Sequence, residues 1–453
     1  AGRFHRRPVP PPAGYRALAS LCDDDRMDPA RAARFPFIPT AAPPIVIERT
    51  EGVWLIRDDG TRILDAGAGA VVTNVGHGRP EVVEAATRAL STIDYVVPLW
   101  ATENRVALVE ELVEHWLPDG FTRASFFSGG SESVDAAVRA ARMYHLSIGQ
   151  PERWKVIGRD VSYHGSTLSG LSVGGHDRRR SGLEPLLREH PKSGWLDPDA
   201  LAKVIELEGA ETISCFIGEP INGASGGAMV PPDGYWIRVE EVCRANGVLL
   251  IVDEVMTGLG RLGHRWGHQH FGIDPDLIVG GKGLSGGYAP MGGMYATDTV
   301  TDAIADAGNG LMYFTFSGAD LACAVSLEVL RIMRREGLVE RAADQGARLR
   351  RRLDEELGGH ANVADVRGVG LLQGVELVAD RDSGRPFPRS VEFAQAVAGQ
   401  AMKRGLWVYP CGSGPVDDAL LISPPFTITD DEIELVVGPL AESITAAAEA
   451  VEI

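Results

Sequence analysis

The sequence is poor in cysteine, in long apolar runs and in positive charge, and each shortage removes a class of protein. Its five cysteines, Cys22, Cys215, Cys243, Cys323 and Cys411, are odd in number and form no C-x-x-C pair, so neither a disulfide framework nor a zinc site is expected. They read as small buried hydrophobes; Cys411, in a Gly/Pro-rich loop, is the one that could face a pocket. No apolar run reaches the ~18–20 residues that cross a bilayer, and the opening AGRFHRRPVPPPAGY lacks the apolar stretch of a signal peptide. A cytoplasmic protein without a membrane partner is the expectation. Net charge is −18, and the one basic run, Arg178-Arg179-Arg180, stands isolated among neutral and acidic residues. Nucleic-acid backbones need clustered Lys and Arg, so no nucleic-acid partner is expected. No H-E-x-x-H or other metal-ligand spacing occurs, and no metal is expected.

What is present is enough chain, 453 residues, for two to three domains of roughly 150 residues each. Residues 1–45 are Pro-rich and irregular, and are expected to lie over the surface or a partner subunit. Residues 45–49 and 53–56 read as strands around a turn at Thr50-Glu51-Gly52, and 62–65 as a third after the turn Asp58-Asp59-Gly60. Residues 67–78 are a glycine-rich loop. Helical spacing follows over 80–90, opened by proline, and over 104–117. Strands at 124–127, 154–158, 214–218, 248–252 and 277–279 then alternate with helices at 132–145 and 235–246. That alternation predicts a largely parallel sheet with helices on both faces. Residues 321–356 are helical with a break near Gly337. Strands at 363–366, 371–377 and 406–409 and helices at 391–404 and 430–451 suggest a smaller α+β domain, with the N-terminal strands packed on it. The domain reading is 1–65 for the N-terminal segment, 66–330 for the large domain and 331–453 for the small one.

Five segments carry chemistry. The apolar strand Val248 to Val252 runs into Asp253-Glu254, and ligands of open α/β sheets sit beyond the carboxyl ends of strands; alone, Asp253 could equally be a surface carboxylate or a helix cap. Lys282 follows the short strand Leu277-Ile278-Val279 between glycines that let a flat molecule approach the backbone. A desolvated lysine there can attack an aldehyde, although a lone lysine is more often a phosphate or surface residue. Ser128-Gly129-Gly130-Ser131 opens a helix, where free N–H groups and the helix dipole favour a phosphate; Ser131 could also be a plain cap. Tyr163, in Ser162-Tyr163-His164-Gly165-Ser166-Thr167, can stack on a ring or be a core residue. Thr315, in Tyr313-Phe314-Thr315-Phe316-Ser317-Gly318, could donate to a phosphate. Together they offer an anion cradle, a stacking ring, a carboxylate and a nucleophilic amine, which are the needs of pyridoxal 5′-phosphate (PLP).

On these residues the chain resembles the class III (ω-type) aminotransferases of PLP fold type I, from about Ile45 to the last helix. The most specific stretches are IVDEVMTGLGRLG (251–263) and PDLIVGGKGLSGGYAPMGG (275–293), supported by SESVDAAVRAAR, YHGST, EPINGASGG and TFSG. The resemblance implies an aspartate-aminotransferase-like α/β fold with a large, mostly parallel sheet domain and a smaller α+β domain. It implies Lys282 and Asp253 as catalytic residues, Lys282 bonding to the cofactor aldehyde and Asp253 pairing with the pyridine nitrogen. Val255 and Tyr163 would take the two ring faces, Gly130 and Ser131 the phosphate, and His164 and Glu219 supporting places near the ring and its O3′ side. Thr315 would reach the phosphate of a neighbouring subunit, which implies a homodimer or a dimer of dimers. The implied reaction passes an amino group from a small-molecule amine or ω-amino donor to a keto acid, pyruvate, by ping-pong kinetics.

Other patterns compete. Gly258 to Gly263 and Gly281 to Gly286 both fit G-x-G-x-x-G, but neither opens a helix in a βαβ unit as a dinucleotide site requires. Gly170-Leu171-Ser172-Val173-Gly174 fits a hydrolase elbow, but HDRRR follows where a helix is needed. Racemisation, aminomutation or decarboxylation would use the same Lys282 and Asp253, and a non-catalytic PLP-binding protein is a further alternative. Two departures from the family pattern bear on substrate. No arginine lies between Arg404 and Pro425, where relatives hold one for a substrate carboxylate. Val71-Val72 also stands where a bulky aromatic is common, which predicts a larger or differently shaped pocket.

Overall fold

The computed structural model describes residues 34, 44–310, 313–413 and 416–451; Cys22 and nearly all of the Pro-rich opening segment lie outside them. The described residues form fifteen strands: β1 (Ile47–Glu51), β2 (Trp54–Arg57), β3 (Arg62–Asp65), β4 (Arg123–Phe127), β5 (Lys155–Arg159), β6 (Lys192–Ser193), β7 (Ile213–Gly218), β8 (Leu249–Asp253), β9 (Leu277–Gly280), β10 (Gly292–Ala296), β11 (Val363–Val369), β12 (Leu372–Leu377), β13 (Leu406–Trp407), β14 (Tyr409–Ser413) and β15 (Val416–Ile422).

Seven strands make the central sheet, in the order β4-β10-β9-β8-β7-β5-β6. All neighbours are parallel except β10, which runs antiparallel to both β4 and β9. Every residue of β7 and β8 is buried, as expected when helices cover both faces of a parallel sheet. On one face the helix Gly130–Ser147 lays Val134, Ala137 and Ala141 against Val156, Ile217 and Ile251. On the other, Tyr235 and Trp236 of the helix Tyr235–Asn246 join Phe216 and Leu250 in the main core. The carboxyl ends of β4, β5, β7, β8 and β9 therefore open along one edge of the sheet, the place where such folds bind ligands.

Two four-stranded sheets flank this one. β1-β2-β3 continues into β13, with Leu64 opposite Leu406, so the N-terminal strands join the C-terminal part through one parallel pair. The other sheet has the order β11-β12-β15-β14. Among the described residues no helix is long and apolar enough to cross a membrane.

Several local expectations are corrected. Thr50 and Glu51 belong to β1, and the chain turns at Gly52, whose φ of +58° favours glycine. The 67–78 stretch is mostly irregular, as expected: Gly69 and Ala70 lie outside the helical region, and Ala68 and Val71 have positive φ. β10 was not anticipated, because Gly-Gly-Met-Tyr-Ala has no alternation and is wholly buried. The expected strand 406–409 is split between two sheets. The stretch after Cys411, expected as a loop, is a hairpin of β14 and β15 set by pairing with the distant β12.

Candidate active site

Asp253 ends β8, and its carboxylate is buried. Its Oδ1 accepts the Val255 N–H at 3.1 Å, and its Oδ2 lies 2.8 Å from His164 Nδ1. His164 comes from the loop after β5 and is fully buried; its Nε2 has no hydrogen-bond partner among the described residues. Lys282 stands two residues past β9 in the left-handed region, φ 42°, an uncommon setting for a side-chain-bearing residue. Glu219 follows β7 directly, and Gly130 and Ser131 open the helix after β4. With Tyr163 and Val255, these residues line one cavity of about 170 Å³.

The electrostatics of the cavity differ from end to end. At the helix end, Gly129 provides no side-chain cap. The first backbone bond there runs from the Ser133 N–H to the Gly129 carbonyl, 3.1 Å, leaving the N–H groups of the first turn open to an anion. Ser131 Oγ accepts the Ser166 N–H at 3.1 Å. Space here is tight. A Cβ on Gly130 would lie 2.9 Å from the Val255 methyls, and one on Gly165, at φ +100°, would lie 2.5 Å from Ser131 Oγ. Burial brings the Lys282 amine down to about 8, against the opposing pull of Asp253 and Glu219. Burial raises Glu219, partly offset by the charges of His164 and Arg159; Arg159 Nη2 stands 3.4 Å from its carboxylate. An open anion cradle, a buried carboxylate and a partly neutral amine around one cavity fit PLP: Lys282 could bind the aldehyde, Asp253 the ring nitrogen and the helix start the phosphate.

Of the residues expected at the site, eight are brought together: Gly130, Ser131, Tyr163, His164, Glu219, Asp253, Val255 and Lys282. Thr315 is exposed and does not line the cavity of its own chain. Val71 and Val72 do not line it either; Val71 packs with Ile221, Leu262 and Leu421. Cys411 also lies off the cavity, its thiol pushed up to about 12 by burial. Ser172, the hydrolase-like serine, is buried in a short helix and donates to the Leu168 carbonyl at 2.7 Å. Ala224 and Met256 line the cavity without having been anticipated; Met256 carried a signal, directly after Val255. Arg179 was also missed. Its guanidinium lies 4.3 Å from the centre of the Tyr163 ring, although its run read as an isolated surface feature.

Residues 38–444 match the family model for class-III aminotransferases. An uncharacterised aminotransferase of Bacillus subtilis (strain 168) is 34% identical over 422 residues, 88% of this chain and 95% of its own length. The putrescine–pyruvate aminotransferase of Pseudomonas aeruginosa is 34% identical over 408 residues, 86% of this chain and 88% of its own. Among solved structures, the omega transaminase of Pseudomonas jessenii in complex with PMP superposes with a TM-score of 0.87 at 31% identity, covering 94% of this chain and 99% of that one. These matches run through all the strand ends that build the cavity, so the fold, the cofactor and the reaction class come from one lineage: the chain belongs to the class III aminotransferases, fold type I enzymes that use PLP to carry out transamination.

Proposed function

We propose that the chain takes the amino group of an amine lacking an α-carboxylate, or of an ω-amino compound, and passes it to pyruvate in two half-reactions with ping-pong kinetics. The observation that carries this reading is Lys282, an amine near neutrality sharing one cavity with the buried Asp253 carboxylate. Bound PLP supplies an aldehyde carbon for the donor nitrogen and a ring that draws electrons from the carbon bearing it. Lys282 would hold the cofactor aldehyde and, as a free amine, would be the base that takes the proton from the donor Cα. Asp253 would pair with the protonated ring nitrogen, and His164, 2.8 Å away, fixes that carboxylate. Val255 and Tyr163 would exclude water from the two ring faces, Gly130 and Ser131 would donate to the phosphate, and Glu219 would orient the O3′ side.

The donor class rests on the SESVD and YHGST stretches and on the relatives, which include a putrescine–pyruvate aminotransferase and an omega transaminase. Thr315 of a second copy completes the phosphate site in a homodimer. In support, Thr315 is exposed beside the exposed side chains of Tyr313 and Phe316, and Tyr95, Leu99 and Trp100 are exposed near them.

The test is the absorption spectrum of the holoenzyme under a panel of amines without keto acid. Carboxylate-free amines should bleach the yellow band and pyruvate should restore it. A band that persists with every amine would sink the donor class and favour racemase or decarboxylase chemistry. Restoration only by a different 2-oxo acid would sink pyruvate as acceptor.

A further inference from the structure

The acceptor of the proposed reaction is an anion, yet the cavity that must receive it is lined by two acids, Asp253 and Glu219, and by one lysine that the chemistry occupies. A carboxylate entering there needs a second cation. The stretch between Arg404 and Pro425 holds no arginine. Two guanidinium groups are close enough for their charge to act on Lys282, Arg179 and Arg261. Arg261 is buried, and its Nη1 donates to the Leu371 and Pro424 carbonyls at 3.0 and 2.7 Å and its Nη2 to Asn74 Oδ1 at 2.8 Å. It is a structural clamp between segments.

Arg179 is placed differently. The short helix Asp177–Arg180 is anchored at both ends. Asp177 pairs with Arg389 at 3.1 Å and accepts from Ser413 Oγ at its start, and Arg180 Nη1 donates to the Leu171 and Gly174 carbonyls at its end. Between them the Arg179 side chain is exposed and makes no hydrogen bond or ion pair with any described residue. Among the described residues its one ring contact is the Tyr163 face, 4.3 Å from the centroid, and Tyr163 lines the cavity. A guanidinium stacked on an aromatic ring is held in orientation while its N–H edge stays open, the geometry that takes a carboxylate through two parallel bonds.

We infer that Arg179 receives the carboxylate of the 2-oxo acid at the mouth of the cavity. This rests on the functional reading above. An exposed guanidinium also suits an enzyme of two unlike substrates: it pairs with a carboxylate when one is present and returns to water when the donor has none.

The test uses the holoenzyme and its Arg179→Ala and Arg179→Lys variants. Three constants are measured: the KM for pyruvate, the KM for 1-phenylethylamine, and the Kd of unreactive propionate from its effect on the bound-cofactor spectrum. In Arg179→Ala the pyruvate KM and the propionate Kd should rise about tenfold or more, the worth of a charge-assisted pair. The amine KM should move less than about threefold, since no anion is involved, and Arg179→Lys should recover part of the loss. An unchanged pyruvate KM and propionate Kd would overturn the assignment, as would a wild-type enzyme that does not bind propionate. Equal rises for amine and pyruvate would also overturn it, because Arg179 would then act only by holding Tyr163. If the wild type does not consume pyruvate, the acceptor reading fails, and the propionate Kd still decides the role of Arg179.

Discussion

A lysine with an ordinary pKa near 10.4 is almost wholly protonated at neutral pH and cannot attack an aldehyde. At about 8, Lys282 keeps roughly a tenth of its amines neutral at pH 7. The rate at which cofactor-free protein captures PLP should therefore climb about tenfold per pH unit below 8 and level off above it. Stopped-flow absorbance across that range checks this, and a flat profile would count against the environment described for Lys282. The stability sign follows from the same shift. Folded Lys282 sheds its proton near 8 and the unfolded chain near 10.4, so between those values the unfolded state binds more protons and stability rises with pH. The contribution is least favourable below about 8.

Gly165 poses a steric test at the same scale. At φ +100° with Ser131 Oγ in the way, Gly165→Ala should cost about 1–3 kcal/mol of stability and weaken PLP retention. Thermal melts with and without cofactor would separate the two losses. The residues at strand ends were legible in sequence because the chemistry dictates both type and place: an acid at the end of β8 and a glycine-flanked lysine after β9. Arg179 was not, since its contact with Tyr163 depends on how the loop after β5 folds back.

At the scale of elements, legibility follows locality. The last helix, Asp430–Glu449, was readable from its start. Thr429 Oγ1 accepts the Glu432 N–H at 3.3 Å, and the Glu432 carboxylate accepts the Thr429 N–H at 2.9 Å. Glu432 also accepts from Trp54 Nε1 at 3.1 Å, so the cap ties this helix to β2. Thr429→Ala should lower stability by about 1 kcal/mol. Glu432→Ala should lower it by more, because the Trp54 bond is lost too; equal losses in denaturant titrations would show that the link to β2 contributes nothing. β10 and the β14–β15 hairpin were not readable. Neither has a period or turn signal of its own, and both exist because a distant strand offers a free edge: β9 and β4 for β10, β12 for β15. Such strands are chosen by the sheet more than by the residues in them.

At the scale of the whole molecule, a site lacking its own Thr315 predicts a shared one. In a homodimer with two-fold symmetry each site would combine Lys282 of one copy with Thr315 of the other. The exposed Leu99, Trp100 and Phe316, 75%, 64% and 62% accessible in the single chain, form the apolar surface such a contact would cover. A mixing experiment tests the geometry. Lys282→Ala protein should be inactive, and Thr315→Ala protein should be weakened through poor cofactor retention. Unfolded together and refolded, the two should form heterodimers in which one site has the intact Lys282 of one chain and the intact Thr315 of the other, while the second site carries both defects. With random pairing, half the dimers are mixed, so activity should recover toward about a quarter of the wild-type sites. If instead each chain supplied its own threonine, no mixed site would be whole. Activity would then stay at the average of the two parents, which would overturn the shared site while leaving the reading of Lys282 intact.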